Sequence, residues 1–415
     1  MRKLIFFGVL IGMLAALWPA VAVADEEAQS LFSSFRDRLY QIRTIDNESG
    51  SKSSIGSAFA INDKGSLVTN YHVISNAILR PDKYHLEALN SEGKSLPIVI
   101  DNIDVINDLA RVSFKEPGIS KGLKLATAEP QQGEAIYSLG NPRDLGMTVV
   151  PGTYNGYTSY SYYDRILFSG SVNPGMSGGP VLNHKGEVVG VNVATSGNQI
   201  SFLVPLKKLQ ILLNNERDIS LSLATQAYKQ LVANQQTLMQ SVLDGDWNRL
   251  PLGEAKVVGE LTDFISCWGD SSVNEMNIKE VYRRCRNQEY IYIAPAFHTG
   301  ILEMEFFWYE SEAMSSWQFY RILAEGFHSV SAGNVANQED VTEFECNNNF
   351  VTQSKEVVKV VYCVRAYKQF KGLFDVLYLA MSVSNNNKSL ISHYTLAGVE
   401  KKFAQSFLQR FMDHL

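Results

Sequence analysis

Between Tyr40 and Pro205 the chain is a succession of short apolar segments, each cut off by Gly, Asn or Asp. Residues 40–45, 55–61, 66–74, 98–103 and 110–114 come first, then 135–139, 148–154, 165–169, 178–182, 187–193 and 200–204. They are rich in β-branched and aromatic residues and recur at the spacing of strands joined by turns. That texture predicts an all-β barrel or sandwich. No helix-length periodic run lies between them, which argues against a strand–helix alternation around a parallel sheet.

The texture changes after Pro205. Residues 206–213 read as a helix closing the β region. Ala224, Tyr228, Leu231, Leu238 and Val242 fall three, four or seven apart, with Gln235 in the remaining seam position and Gly245 ending the run. This predicts a helix packed on a neighbouring domain; a coiled-coil seam is the rival reading. Residues 250–415 mix helical and strand patterns and hold all four cysteines, Cys267, Cys285, Cys346 and Cys363. Their spacings are 18, 61 and 17 residues. Each close pair precedes an aromatic β-like run and then a helical pattern. We expect an α+β accessory domain built as two repeats of about 78 residues. Of the three connectivities, Cys267–Cys285 with Cys346–Cys363 is preferred, each bridge closing a loop of about 17 residues for about 3 kcal/mol. No C-x2-C spacing exists, so metal binding is disfavoured. The aromatic run 304–309 is expected in a domain core, or else as an edge that binds a partner.

Arg2 and Lys3 precede an apolar stretch, and Ala22-Val23-Ala24 has the form of a signal-peptidase site. Residues 1–24 therefore read as a signal peptide. No later run spans a bilayer, so the mature chain is expected outside the cytoplasm, periplasmic or secreted, without stable membrane insertion. Four domains follow: 1–24, a β domain over 25–215, a helical linker over 216–249, and the accessory domain over 250–415. Composition is that of a globular protein, 45% hydrophobic and 19% charged, which excludes wholly disordered and collagen-like chains. A net charge of −6 with no basic run argues against nucleic acid as a partner.

Three segments of the β region carry chemistry. The first, 67–74, places His72 in an apolar run expected to be a strand. Asp108 precedes another strand in 107–112, and Ser177 sits in the glycine turn 173–180. A serine hydroxyl becomes a nucleophile only beside a base. Histidine can take that proton near neutrality and return it to a leaving amine. A carboxylate on the far ring nitrogen fixes the tautomer. The amides of Gly175 and Ser177 would hold the oxyanion, each donor worth about 3 kcal/mol of barrier. The turn also fits G-x-S-x-G, but Pro180 and a hairpin follow it, not the helix that an α/β-hydrolase elbow requires.

On these residues, the region 35–213 resembles a trypsin-like (chymotrypsin-fold) serine peptidase, most like the protease domain of the HtrA/DegP group. The matching pieces are Gly56-Ser57-Ala58-Phe59, Thr69-Asn70 before His72, Asn107-Asp108-Leu109-Ala110, Leu139-Gly140-Asn141-Pro142, Asn173-Pro174-Gly175 with Ser177-Gly178-Gly179-Pro180, and Gly186 to Asn192. The resemblance implies two six-stranded barrels with His72, Asp108 and Ser177 as triad in the cleft between them. It places Ser171 at the base of the primary pocket, Val193, Ala194 and Thr195 along the substrate backbone, and Ser201 with Phe202 at the far wall. Ser171 is uncharged, so an uncharged residue before the cut is expected. Met176 stands where the trypsin group has Asp, so no N-terminal activation switch is expected. The carboxylate-binding loop of a PDZ domain is missing from 250–415. The expected protein is an exported serine endopeptidase acting on unfolded or partner polypeptides, without metal or organic cofactor, with an oligomer open. A protease-like binding scaffold with little turnover is the alternative.

Overall fold

The structure, a computed structural model, describes residues 23–116, 121–353, 356–383 and 386–415. The expected signal peptide lies outside the described residues, apart from the backbone of 23 and 24. Helix α1 (Val23–Phe35) leads into β1 (Leu39–Asp46), β2 (Lys52–Ala60) and β3 (Ser66–Thr69), then helix α2 (Tyr71–Leu79). With β4 (Tyr84–Leu89), β5 (Ser95–Asp104) and β6 (Leu109–Phe114), these strands close a barrel in the order β1-β2-β3-β6-β5-β4. A second closed barrel, β10-β11-β12-β9-β8-β7, comprises β7 (Ala135–Gly140), β8 (Thr148–Tyr157), β9 (Ile166–Phe168), β10 (Pro180–Leu182), β11 (Val188–Gly197) and β12 (Ile200–Pro205).

Strand alternation glues the barrels together. Along β2 and β3, Ala58, Ala60 and Leu67 fill the first barrel, while Phe59 and Val68 join the second barrel's core. Side chains of opposite parity thus serve two cores from one strand.

Residues 66–74, expected as one strand, break at Asn70. There the backbone is extended (φ −87°, ψ 152°) and α2 begins. Tyr71, Ile74 and Ile78 recur at helical spacing and are buried on one face. His72 therefore stands in the first turn of a helix rather than at a strand end.

Helix α3 (Leu206–Asn214) closes the second barrel. Helix α4 (Leu223–Leu243) is capped by Ser222, whose hydroxyl accepts from Thr225 N at 3.1 Å. Its stripe is used within the chain: Ala227 and Leu231 enter the first barrel's core, Met239 and Val242 the accessory core. Gln235 donates to Glu400 at 2.7 Å.

After the hairpin β13 (Arg249–Leu252)–β14 (Ala255–Val258) comes a seven-stranded antiparallel sheet. It is made of β15 (Ile265–Val273), β16 (Lys279–Asn287), β19 (Leu302–Glu310), β20 (Glu345–Gln353), β21 (Glu356–Ala366), β22 (Leu373–Val383) and β23 (Lys388–Glu400). Their order is β15-β16-β19-β23-β22-β21-β20. A small hairpin, β17 (Ile291–Ala294)–β18 (Phe297–Thr299), leaves this sheet toward the first barrel. Helix α5 (Ser316–Ser329) covers one sheet face through Phe319, Leu323 and Phe327; α6 (Lys401–Asp413) covers the other through Phe407 and Phe411. Disulfides Cys267–Cys285 and Cys346–Cys363 join directly opposed residues in the outermost strand pairs, at the two edges of the sheet. The run 304–309 lies in β19, hydrogen-bonded on both sides, so it offers no free edge. Among the described residues no helix is long and apolar enough to cross a membrane.

Candidate active site

His72 and Asp108 meet between the barrels. His72 Nδ1 lies 2.6 Å from Asp108 Oδ2, and the His72 backbone N–H donates to Oδ1 at 2.8 Å. One carboxylate thereby fixes both the ring and the helix turn that carries it. Asp108 is itself held: the fully buried Asn70 donates through Nδ2 to its carbonyl at 2.6 Å. Its φ of 59° is the left-handed region, which Asp tolerates better than most residues. Burial pushes the His72 imidazole down, but the charge of Asp108 and its hydrogen bond outweigh this, and the net shift is upward. A raised pKa makes the ring a stronger base toward a hydroxyl.

Ser177 follows a turn whose peptide planes are pinned from behind. Pro174 O accepts from Arg143 N at 2.8 Å, and Met176 O from Gly179 N at 3.0 Å. In a trans peptide the N–H points opposite the carbonyl. The amides of Gly175 and Ser177 are thus turned away from those partners. Gly175 has φ 96°, and a Cβ there would stand 2.4 Å from Asn141 O. At Gly178 (φ 84°) a Cβ would stand 2.3 Å from Ser57 O. Neither position accepts a side chain.

The turn is tied to the first barrel by Ser57. This buried hydroxyl on β2 donates to Gly175 O at 2.7 Å and accepts from Asn141 N at 2.9 Å. Its backbone N–H donates to Ser177 O at 2.7 Å. Behind the turn, the buried Asn192 carboxamide donates to Leu139 O at 3.2 Å and Met176 O at 3.3 Å. The Ser177 hydroxyl makes its hydrogen bond to Val193 O, at 3.5 Å, and none to His72. Attack requires it to turn to the imidazole, a contact that commonly tightens only with substrate bound.

The expected pocket residues divide. Ser171 is exposed, and Thr195 is exposed at the outer end of β11. Ala194 pairs with Phe202 across β11 and β12, and its side chain lies outside the described residues. Ser201 departs from the expectation. It is fully buried, donates to Gly170 O at 2.7 Å and accepts from Val172 N at 3.2 Å. Its hydroxyl is spent on shaping the 170–172 loop. Met176, also fully buried, packs in the second barrel's core.

Ser57 and Asn70 belong to the sequence motifs, which assign neither residue a task. Tyr292 belongs to none of these motifs and yet reaches the site. That ring, from β17, packs edge-on against His72 with centroids 5.6 Å apart. No local signal marks it, because the contact joins residues far apart in the chain.

A double barrel with a His–Asp pair and a glycine-turn serine in its cleft defines the class: a trypsin-like serine peptidase domain. The family model of that description, "Trypsin-like peptidase domain", matches residues 56–191. Relatives of this chain include HtrA proteases. The chain is 32% identical over 165 residues to serine protease HTRA1 of Xenopus laevis, covering 37% of this chain and 34% of that protein. Against serine protease HTRA3 of Homo sapiens it is 29% identical over 174 residues, covering 40% and 38%. The chain thus spans about a third of the length of these relatives. Among solved structures, the serine endoprotease from Yersinia pestis aligns at 22% identity and TM-score 0.39, over 45% of this chain and 65% of that one.

Proposed function

We propose that the protein is an exported serine endopeptidase that cleaves extended segments of unfolded or partner polypeptides through an acyl-enzyme. Ser177 Oγ attacks the scissile carbonyl as His72 Nε2 takes its proton. The imidazolium, steadied by Asp108, then protonates the leaving amine. The amides of Gly175 and Ser177 receive the oxyanion. Water repeats the sequence on the ester. The primary pocket, opening past the uncharged Ser171, favours an uncharged side chain before the cut. Residues 250–415 act as an accessory domain to the peptidase. The observation that carries this reading is the doubly bonded His72–Asp108 pair, together with a serine turn whose two amides are aimed away from their own scaffold.

The test is cleavage of an unfolded protein by the mature chain beside Ser177→Ala, with cut sites read by mass spectrometry. Cleavage by the parent alone supports the reading. The present Ser177 rotamer favours one rival, a scaffold with little turnover. That rival predicts that a fluorophosphonate leaves Ser177 unlabelled even with unfolded protein present.

A further inference from the structure

The accessory domain does more than flank the barrels. The pairing of β10 with β11 reaches only Val191, whereas β12 accompanies β11 out to Gly197. Among the described residues, one edge of β11 from 193 to 197 is therefore without a strand, and it starts beside the Ser177 hydroxyl. A peptide added antiparallel to this edge runs toward Ser177 with its C-terminal end leading. The residues before the cut then lie along 193–197. Side chains of an extended peptide alternate. If the residue at the cut points toward Ser171, the one before it points the other way, toward His72.

That side is a cavity of about 450 Å³, lined by His72, Val105 and Ile106 of the first barrel and by Tyr290 and Tyr292 of the accessory domain. Tyr292 lies on β17 and Tyr290 just before it, both lining the cavity, while Ile291 and Ile293 belong to the first barrel's core. The hairpin is anchored on both flanks. Tyr71 donates to Ile293 O at 3.1 Å, and Glu289 accepts from the Ser161 hydroxyl and from Tyr163 N at 3.3 Å. Tyr290 lies over His298, with centroids 4.3 Å apart. A wall held this way is preformed. It sets Val105, Ile106 and the two tyrosine rings in a cavity that also has polar lining, Thr158, Ser159 and Arg165 among it.

Granting the peptidase reading, on which this rests, we propose that Tyr290 and Tyr292 form the outer wall of the substrate cleft and select an apolar side chain at the second residue before the cut. The occupant is the polypeptide substrate, and half of this specificity site belongs to a domain outside the barrels.

The test uses the full mature chain and two peptidyl diphenyl phosphonates. Both carry the valine analogue at phosphorus, preceded by leucine in one and glycine in the other. The readouts are the second-order rates of inactivation and the adduct on Ser177. The parent is expected to react at least about tenfold faster with the leucine probe. Tyr292→Ala brings the two rates within about threefold, and Tyr292→Phe restores the ratio. Tyr290 is 51% exposed, so Tyr290→Ala gives a second variant that removes little packing, and it too lowers the ratio. Equal rates in the parent, an unchanged ratio in both alanine variants, or an equal gain with both probes would overturn the proposal, the last because it would make Tyr292 a plug. If a small fluorophosphonate labels Ser177 while the peptidyl probes react alike, only this inference fails. If none labels it, the peptidase reading fails and takes this inference with it.

Discussion

Ser57→Ala isolates the link between the barrels. The substitution deletes one oxygen and strands two buried groups, the Gly175 carbonyl and the Asn141 N–H. Each unpaired buried group costs about 1–3 kcal/mol, so about 2–4 kcal/mol in total after partial relaxation. At roughly 2–4 °C per kcal/mol for a domain of this size, the melting temperature falls by roughly 5–15 °C. The rate suffers separately, because the Gly175 carbonyl belongs to the turn that aims its amide. Losing one oxyanion donor outright costs about 10²–10³ in kcat. The Arg143–Pro174 bond at 2.8 Å still grips the other side of the turn. We therefore expect kcat to fall by about 10–100-fold with little change in KM. The assay is steady-state hydrolysis of a fluorogenic peptide taken from a mapped cut site, beside thermal unfolding followed by circular dichroism. A lowered melting temperature with kcat within twofold of the parent would refute the link from Ser57 to the oxyanion amides. An unchanged melting temperature would refute the claim that its hydroxyl is structurally engaged.

Two further outcomes follow from the charges. Asp108 raises the His72 pKa in the folded protein, and the base must be neutral to act. Activity is therefore full above that pKa and lost as pH falls through it, with the acid limb of kcat/KM centred above the ordinary imidazole value of about 6.5; a midpoint at or below 6.5 contradicts this. In the accessory domain, Arg365 donates through Nε at 2.8 Å to Asp375, a fully buried carboxylate that also receives the Tyr367 hydroxyl at 2.6 Å. Burial pushes Asp375 up, and Arg365 opposes it. Arg365→Ala leaves the charge unpaired, at a cost of about 3–5 kcal/mol. Because the folded carboxyl is the more easily protonated, that cost should shrink on acidification, as urea unfolding of the variant and parent at two pH values would show.

The double barrel was legible because its strands are short, apolar and punctuated, and because His72, Asp108 and Ser177 sit in distinctive local frames. What failed was the state of 66–74. Leu67, Val68, Val73 and Ile74 look alike to a pattern reader, and only Asn70, extended and fully buried, separates strand from helix. Strand β4 went unseen because His85 and Glu87 face outward between its apolar residues and dilute the pattern. The burial of Ser201 was not legible, because an exposed serine and a buried one read the same in a sequence. The contact of Tyr292 with His72 was out of reach, since the sequence of residues 250–415 carries no hint that its small hairpin turns toward His72.

The core that the first barrel shares with Ile291, Ile293, Phe297 and Phe370 also sets a schedule. A chain that emerges N-terminus first presents His72, Asp108 and Ser177 long before it presents the β17 hairpin. Until that hairpin arrives, α2 lacks the apolar cover and the Tyr71 partner that hold it, and His72 rides on its first turn. The packing around α2 is therefore completed by residues synthesised after Ser177. On the proposed reading, a nascent or truncated chain would carry His72, Asp108 and Ser177 and yet lack the packing that supports the helix bearing His72.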